Sequence, residues 1–138
     1  MSWKEKMKEF GGGNFAFLST DGEALTFIVV GDPILLHSKY KGQEQERIGC
    51  PVVTGDGYQL LIIGKRAARK ISKHEALFGS NALMITRNGA EGDTNAKYPV
   101  VVLPEPETYT RLRAIAERDF KPEMIQESVD EVAEAFDS

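Results

Sequence analysis

Residues 58–63, YQLLII, constrain this chain more than any other stretch, because five of the six are apolar and a strand of that kind is buried on both faces. The turn sequence TGDG at 54–57 precedes it. The fifteen residues KRAARKISKHEALFG at 65–79 follow it directly. There Ala67, Ala68 and Ile71 recur at helical spacing, which predicts a short helix closed by Phe78 and Gly79. Five cations, Lys65, Arg66, Arg69, Lys70 and Lys73, come before the first acid, Glu75. The helix is therefore either a solvated cationic face or a grip for a polyanion.

Short strands separated by turns surround this centre. Residues 24–30 carry Leu, Thr, Phe, Ile and Val, a composition that favours strand. Gly31, Asp32 and Pro33 make the next turn, and residues 34–40 form another strand. The polar run KGQEQE at 41–46 reads as an exposed loop, and 47–53 as a short strand whose Pro51 implies an edge or a bulge. Residues 82–86 and 98–103 are apolar and strand-like around a connector rich in Asn, Gly, Asp, Thr and Ala, which is the pattern of a hairpin with an exposed, flexible tip.

The expected fold is mainly β with C-terminal α: a five-stranded Greek-key barrel of the OB-fold kind, with a short internal helix and two helices after the last strand. Residues 1–14, ending in three glycines and Asn14, read as a flexible arm carrying Trp3 and Phe10. Residues 15–104 are the barrel. Residues 105–138 form an acidic helical segment, with stripes Tyr109, Leu112, Ile115, Ala116 and Ile125, Val129, Val132, Ala133, Phe136.

With 138 residues the chain supports one core. No apolar run reaches the roughly 20 residues that span a bilayer, and MSWKEKMKEF lacks the apolar centre of a signal peptide, so a cytoplasmic location is expected. Cys50 is the single cysteine, which excludes an internal disulfide, and with only His37 and His74 beside it no metal or other cofactor is expected. The net charge of −4 is unevenly spread. Residues 39–103 hold ten Lys and Arg against six Asp and Glu, whereas 104–138 hold four against ten. A positive middle attracts polyanions, and an acidic end competes with them or recruits a basic partner.

Little points to catalysis. Neither histidine lies in a nucleophile motif. Gly64 and Lys65 do not complete a phosphate loop, because position 59 is Gln and Arg66 follows the lysine. Asp32, Asp56 and Asp93 all sit in turn sequences. The chain is read as a non-enzyme.

Cations beside rings are the stronger pattern. A single strand is bound without sequence preference by a basic groove for phosphates and aromatic faces for bases. Lys39, Tyr40 and Lys41 make one such triplet; Arg87, Lys97 and Tyr98 cluster at the shoulders of the late hairpin; Arg47, Tyr58 and the 65–73 cations add to them.

The segments GGGNFAFLSTDGEALTFIVVGDPILLHSKY and ITRNGAEGDTNAKYPVVVLP resemble bacteriophage and prophage single-stranded-DNA-binding proteins of the OB-fold kind. Phe17, Leu18, Asp21, Gly22, Glu23, Gly31, Asp32, Pro33, Ile85, Arg87, Gly89, Gly92, Thr94, Tyr98 and Pro104 carry the likeness, over residues 10–104. The resemblance implies sequence-tolerant DNA binding in replication or recombination, in a metal-free version, since the zinc ligands of some phage relatives are absent. It also implies that the end EVAEAFDS, through Glu131, Glu134, Phe136 and Asp137, recruits replication or recombination proteins or competes with DNA. Self-association is compatible with either role. The alternative is a protein-interaction module whose acidic helices meet a basic partner.

Overall fold

The computed structural model describes residues 14–40 and 43–137, with side chains described for 14–37 and 45–134. The arm expected over 1–14 lies outside the described residues apart from Asn14, as does Lys41. In chain order the elements are β1 (Phe15–Ala16), β2 (Ala24–Val29), β3 (Ile34–Tyr40), β4 (Gln43–Thr54), β5 (Gly57–Ile63), α1 (Lys65–Ser72), a 3-10 turn (Glu75–Leu77), β6 (Leu83–Thr86), β7 (Val100–Val102), α2 (Pro106–Asp119) and α3 (Glu123–Asp137).

The strands form one mixed sheet in the order β1-β5-β4-β2-β6-β7, with β3 pairing β4 beside β2. All pairings are antiparallel except that of β1 with β5. Seven strands appear where five were expected, partly because β2 and β3 run along one side of β4 and are separated only by Val30 to Pro33. The ladder is open: among the described residues β7 pairs only β6, and the outer side of β5 is taken by β1, Phe15 opposite Leu60 and Ala16 opposite Leu61.

Pro51 shows how sequence and register agree. It is fully buried inside β4, where an imide nitrogen would break a ladder. It lies between the end of the β3 pairing at Gly49 and the start of the β2 pairing at Val52, and its carbonyl accepts from Val30 N at 2.9 Å. The proline occupies the gap left by the break between β2 and β3, rather than an edge or a bulge. Gly31 fits closely there: a Cβ on it would stand 2.8 Å from Ile125 Cδ1 and 3.2 Å from Pro51, so a larger residue would have to push both aside.

The polar run 41–46, expected as a loop, belongs from Gln43 onward to β4, which pairs β3 from Gln43 opposite Tyr40 to Gly49 opposite Ile34. Polar residues form a strand as readily as a loop where backbone pairing fixes them, and a register of seven cross-strand pairs decides the matter.

Both faces of the sheet are buried, as residues 58–63 require. On one face Phe27, Cys50, Val52, Leu61, Ile63, Leu83 and Ile85 pack with Ala67 and Ile71 of α1, which lies against β4 and β7. On the other, α2 lies on β2, β4 and β5, where Leu112 and Ala116 join Ile28, Val53 and Tyr58. There α3 lies on β3 and β5, and Val132 joins Leu36, Leu60 and Ile62. The stripes expected of the C-terminal helices are the faces that dock, except that Ala133 is exposed and the side chain of Phe136 is outside the described set. Among the described residues no helix is long and apolar enough to cross a membrane.

Candidate nucleic-acid interface

Helix α1 begins where β5 leaves the core, and its inward residues Ala67 and Ile71 fix which way the rest point. Lys65, Arg66, Arg69, Lys70 and Lys73 are all exposed. Lys65 Nζ lies 3.3 Å from Glu46 Oε2 on β4, and the other four have no acid within ion-pair distance among the described residues. Arg69 and Lys70 sit in the last turn, at the end where the helix dipole favours cations. Lys65 and Arg66 sit at the opposite, positive end. That first turn holds no acid, and no side chain caps it.

Arg47, next along β4, stands opposite Leu36 and so lies on the face that α3 covers. Its Nη2 donates to Gln45 Oε1 at 3.2 Å, and its Nη1 is 3.5 Å from the point where a Cβ on Gly64 would stand. Strand β3 then extends the surface away from α1. Its backbone places Lys39 opposite Glu44 and Tyr40 opposite Gln43, while the side chains of Lys39 and Tyr40 lie outside the described set.

Two side chains on this ribbon escaped the sequence reading as contacts. Leu35 is 48% exposed and His37 is exposed, opposite Ile48 and Glu46 respectively. Cross-strand partners share a face, so His37 stands on the side of the Glu46–Lys65 ion pair. The alternation of Leu35, His37 and Lys39 was the available signal, and it reads equally well as an ordinary half-exposed strand.

Tyr58, expected as a ligand contact, is buried instead. It is 8% exposed, its ring lies 5.3 Å from that of Phe120, and its hydroxyl is 2.7 Å from Ser128 Oγ on α3. Burial, outweighing the Ser128 hydrogen bond, pushes its phenol above the ordinary range. A base cannot stack on it while α2 and α3 are in place.

Arg87 is likewise turned inward, at 7% exposure. Its Nε donates to Gly89 O at 3.0 Å, Nη2 to Ala90 O at 2.6 Å and Nη1 to the Tyr98 hydroxyl. The guanidinium also lies over the Tyr98 ring at 5.6 Å. The planar fork matches three acceptors at once, so Arg87 organises the lobe between β6 and β7. Tyr98 packs on the core beneath it. Lys97 alone of that trio is exposed, and its backbone pairs with Asn88 to close the lobe.

No described aromatic side chain is exposed. Phe15 and Phe17 meet edge to face with centroids 5.6 Å apart, and both pack beside Val129 and Val132 of α3. On α3 itself Glu134 is exposed, and Glu131 is half-buried with one carboxylate oxygen 3.2 Å from Asn14 N. The Phe136 and Asp137 side chains are outside the described set.

Burial pushes the Cys50 thiol up to about 11, so it is not a nucleophile near neutrality. Among the described residues no group of His, Cys, Asp and Glu converges as metal ligands would.

Fold and surface together define a class: an open β-sheet covered by helices on both faces, with one short helix presenting an exposed cationic side. Set against family models, characterised proteins and solved structures, the chain matches none of them.

Proposed function

We propose that the protein binds single-stranded nucleic acid without sequence preference, as an OB-type module serving phage-type DNA replication or recombination. The observation that carries the reading is α1: four exposed cations, with a fifth, Lys73, just past its end and one of the five opposed by an acid, on a helix inserted between β5 and β6. If β2 and β3 are taken as one broken strand, the order of the main strands is third, second, first, fourth, fifth. An OB-fold is a partly open Greek-key barrel, and it engages oligonucleotides through the face of strands two and three and the loops after strands one and four. Here those loops correspond to the β3–β4 tip and the lobe closed by Asn88 and Lys97.

The face of strands two and three corresponds to the side of β4 and β5 that α2 and α3 cover. The proposed path for the strand is therefore the other surface: the β3–β4 ribbon on the side of Leu35 and His37, then α1, with Lys97 on the lobe. An anion at the start of α1 would also relieve Lys65 and Arg66 at the positive end of the helix dipole.

The test is a fluorescence-polarisation titration of oligo-dT, duplex DNA and RNA at several salt concentrations. Converting Arg66, Arg69 and Lys70 together to Gln should weaken oligo-dT binding and reduce the salt slope by about 2, at roughly 0.7 per phosphate contact. Unchanged affinity and slope would dismiss the α1 surface.

A second reading, a protein-interaction module, draws on α3, whose exposed Glu123, Glu127, Asp130 and Glu134 have no cation among them. Exchanging these four for Gln should then abolish capture of a basic protein partner while leaving oligo-dT binding intact.

A further inference from the structure

Asn88 and Gly89 are the single place in the chain where asparagine precedes glycine. In such a pair the glycine nitrogen can attack the asparagine Cγ. The new N–Cγ bond expels ammonia, and water then opens the succinimide to aspartate or isoaspartate. A glycine favours the attack because no Cβ obstructs the approach.

The fold does not permit another residue at this position. Gly89 has φ +147°, and a Cβ on it would stand 2.7 Å from Ala96 Cβ and 2.9 Å from Ala96 Cα. The susceptible pair is built into the closure of the lobe, and Asn88 is exposed to water. What opposes the reaction is the engagement of its nucleophile: Gly89 N donates to Asp21 Oδ1 at 2.9 Å. The flanking groups are held as well. Asn88 N donates to Lys97 O at 2.8 Å, Asn88 O accepts from Lys97 N at 2.9 Å, and Arg87 Nε binds Gly89 O. The turn carrying Asp21 is itself fixed to the end of β6, since Gly22 N donates to Arg87 O at 2.7 Å and Arg87 N to Glu23 O at 2.8 Å.

We propose that Asn88–Gly89 is a latent self-modification site, kept unreacted by the carboxylate of Asp21, which holds the Gly89 nitrogen away from the Asn88 side chain. Conversion replaces a neutral amide by a carboxylate beside Arg87 and Lys97. The isoaspartate product adds a methylene to the main chain and breaks the Asn88–Lys97 closure. The proposal stands apart from the nucleic-acid reading and needs no ligand.

The experiment incubates the full chain at mildly alkaline pH and follows amide-to-acid conversion by peptide mapping, with an isoaspartate assay alongside. Folded wild type should convert slowly at Asn88, and urea-unfolded wild type quickly. Asp21→Ala should convert about tenfold faster than folded wild type, the change expected for loss of one charge-assisted hydrogen bond. Asp21→Asn, which keeps an acceptor oxygen, should stay within a few-fold of wild type. The proposal is overturned if folded and unfolded wild type convert equally fast. It is equally overturned if folded Asp21→Ala matches wild type, or if the conversion maps to Asn14, Asn81 or Asn95. Should Asp21→Ala fail to fold, the folded and unfolded wild-type rates together with Asp21→Asn decide the question.

Discussion

The hydroxyl pair of Tyr58 and Ser128 decides whether the C-terminal helix is part of the fold or a free acidic tail. Ser128 is completely buried on α3, and its Oγ also donates to Ile125 O at 2.7 Å. The two truncations are therefore unequal. Tyr58→Phe leaves Ser128 with a remaining acceptor for its proton, so the loss is that of one neutral hydrogen bond, about 1 kcal/mol. Ser128→Ala leaves the buried phenol with no partner, a penalty of about 1–3 kcal/mol, offset by roughly 0.5 kcal/mol of better helix propensity. In the double variant the orphaned group is gone, so the loss should fall short of the sum by about 1 kcal/mol. Urea unfolding monitored by circular dichroism measures each value as a shift in midpoint at constant slope. A coupling below about 0.3 kcal/mol, within the additivity of unrelated sites, would mean that the hydroxyls do not meet and that α3 is not docked in solution. The same pair has a pH signature. The phenol is raised in the folded state, so its contribution is complete below the ordinary tyrosine value of about 10 and is lost as pH climbs through the folded value. Tyr58→Phe should remove that alkaline loss.

Cys50 should behave in the same sense at lower pH. Its stabilisation is present below the ordinary value of 9.0 and is lost toward about 11, so wild type should weaken over that window and Cys50→Ala should not, as read by urea midpoints across pH. Arg87→Lys should lower stability by about 1.5–3 kcal/mol, because an ammonium cannot serve the three acceptors of the fork, while leaving the oligo-dT salt slope unchanged. A changed slope with normal stability would return Arg87 to the interface. Gly31→Ala should cost about 1–3 kcal/mol through the clash with Ile125 and Pro51, whereas Gly55→Ala, with nothing within 4 Å, should stay within about 0.5 kcal/mol in the same unfolding assay.

The elements most legible in the sequence were those whose periodicity answers to a single neighbour. Strand β3 begins and ends where its composition says, and α1 follows from the spacing of Ala67 and Ile71, although it ends at Ser72 and a separate 3-10 turn at Glu75–Leu77 replaces the expected closure at Phe78 and Gly79. The faces of α2 and α3 were readable from Leu112, Ala116, Val129 and Val132. Strand β4 was not, because KGQEQE is polar for the same reason a loop is, and only pairing with β3 fixes it as strand. The direction in which a cation or ring points was hidden for a related cause. Arg87 and Lys97 are equivalent as letters in a hairpin, yet one is drawn inward by two carbonyls and a phenol and the other is left in water. Tyr58 lies at the mouth of an apolar strand, where burial depends on a helix some seventy residues later in the chain, and no local pattern carries that information.

The redistribution of rings changes the kind of binding the proposed interface can deliver. A site built from stacking gains about 1–3 kcal/mol per base and keeps much of its affinity in salt. Here Tyr58, Tyr98, Phe15 and Phe17 all serve the interior, so among the described residues the groups that remain are cations, the imidazole of His37 and the apolar surface of Leu35. Binding along α1 would then draw on counterion release, fall steeply with ionic strength and discriminate little among bases. Substituting these buried and half-buried rings should weaken binding only to the extent that it unfolds the protein. Substituting α1 should weaken binding with the fold intact. The opposite pattern, rings that matter in the folded state and an indifferent α1, would require α2 and α3 to leave the sheet and would place the strand on β4 and β5 instead.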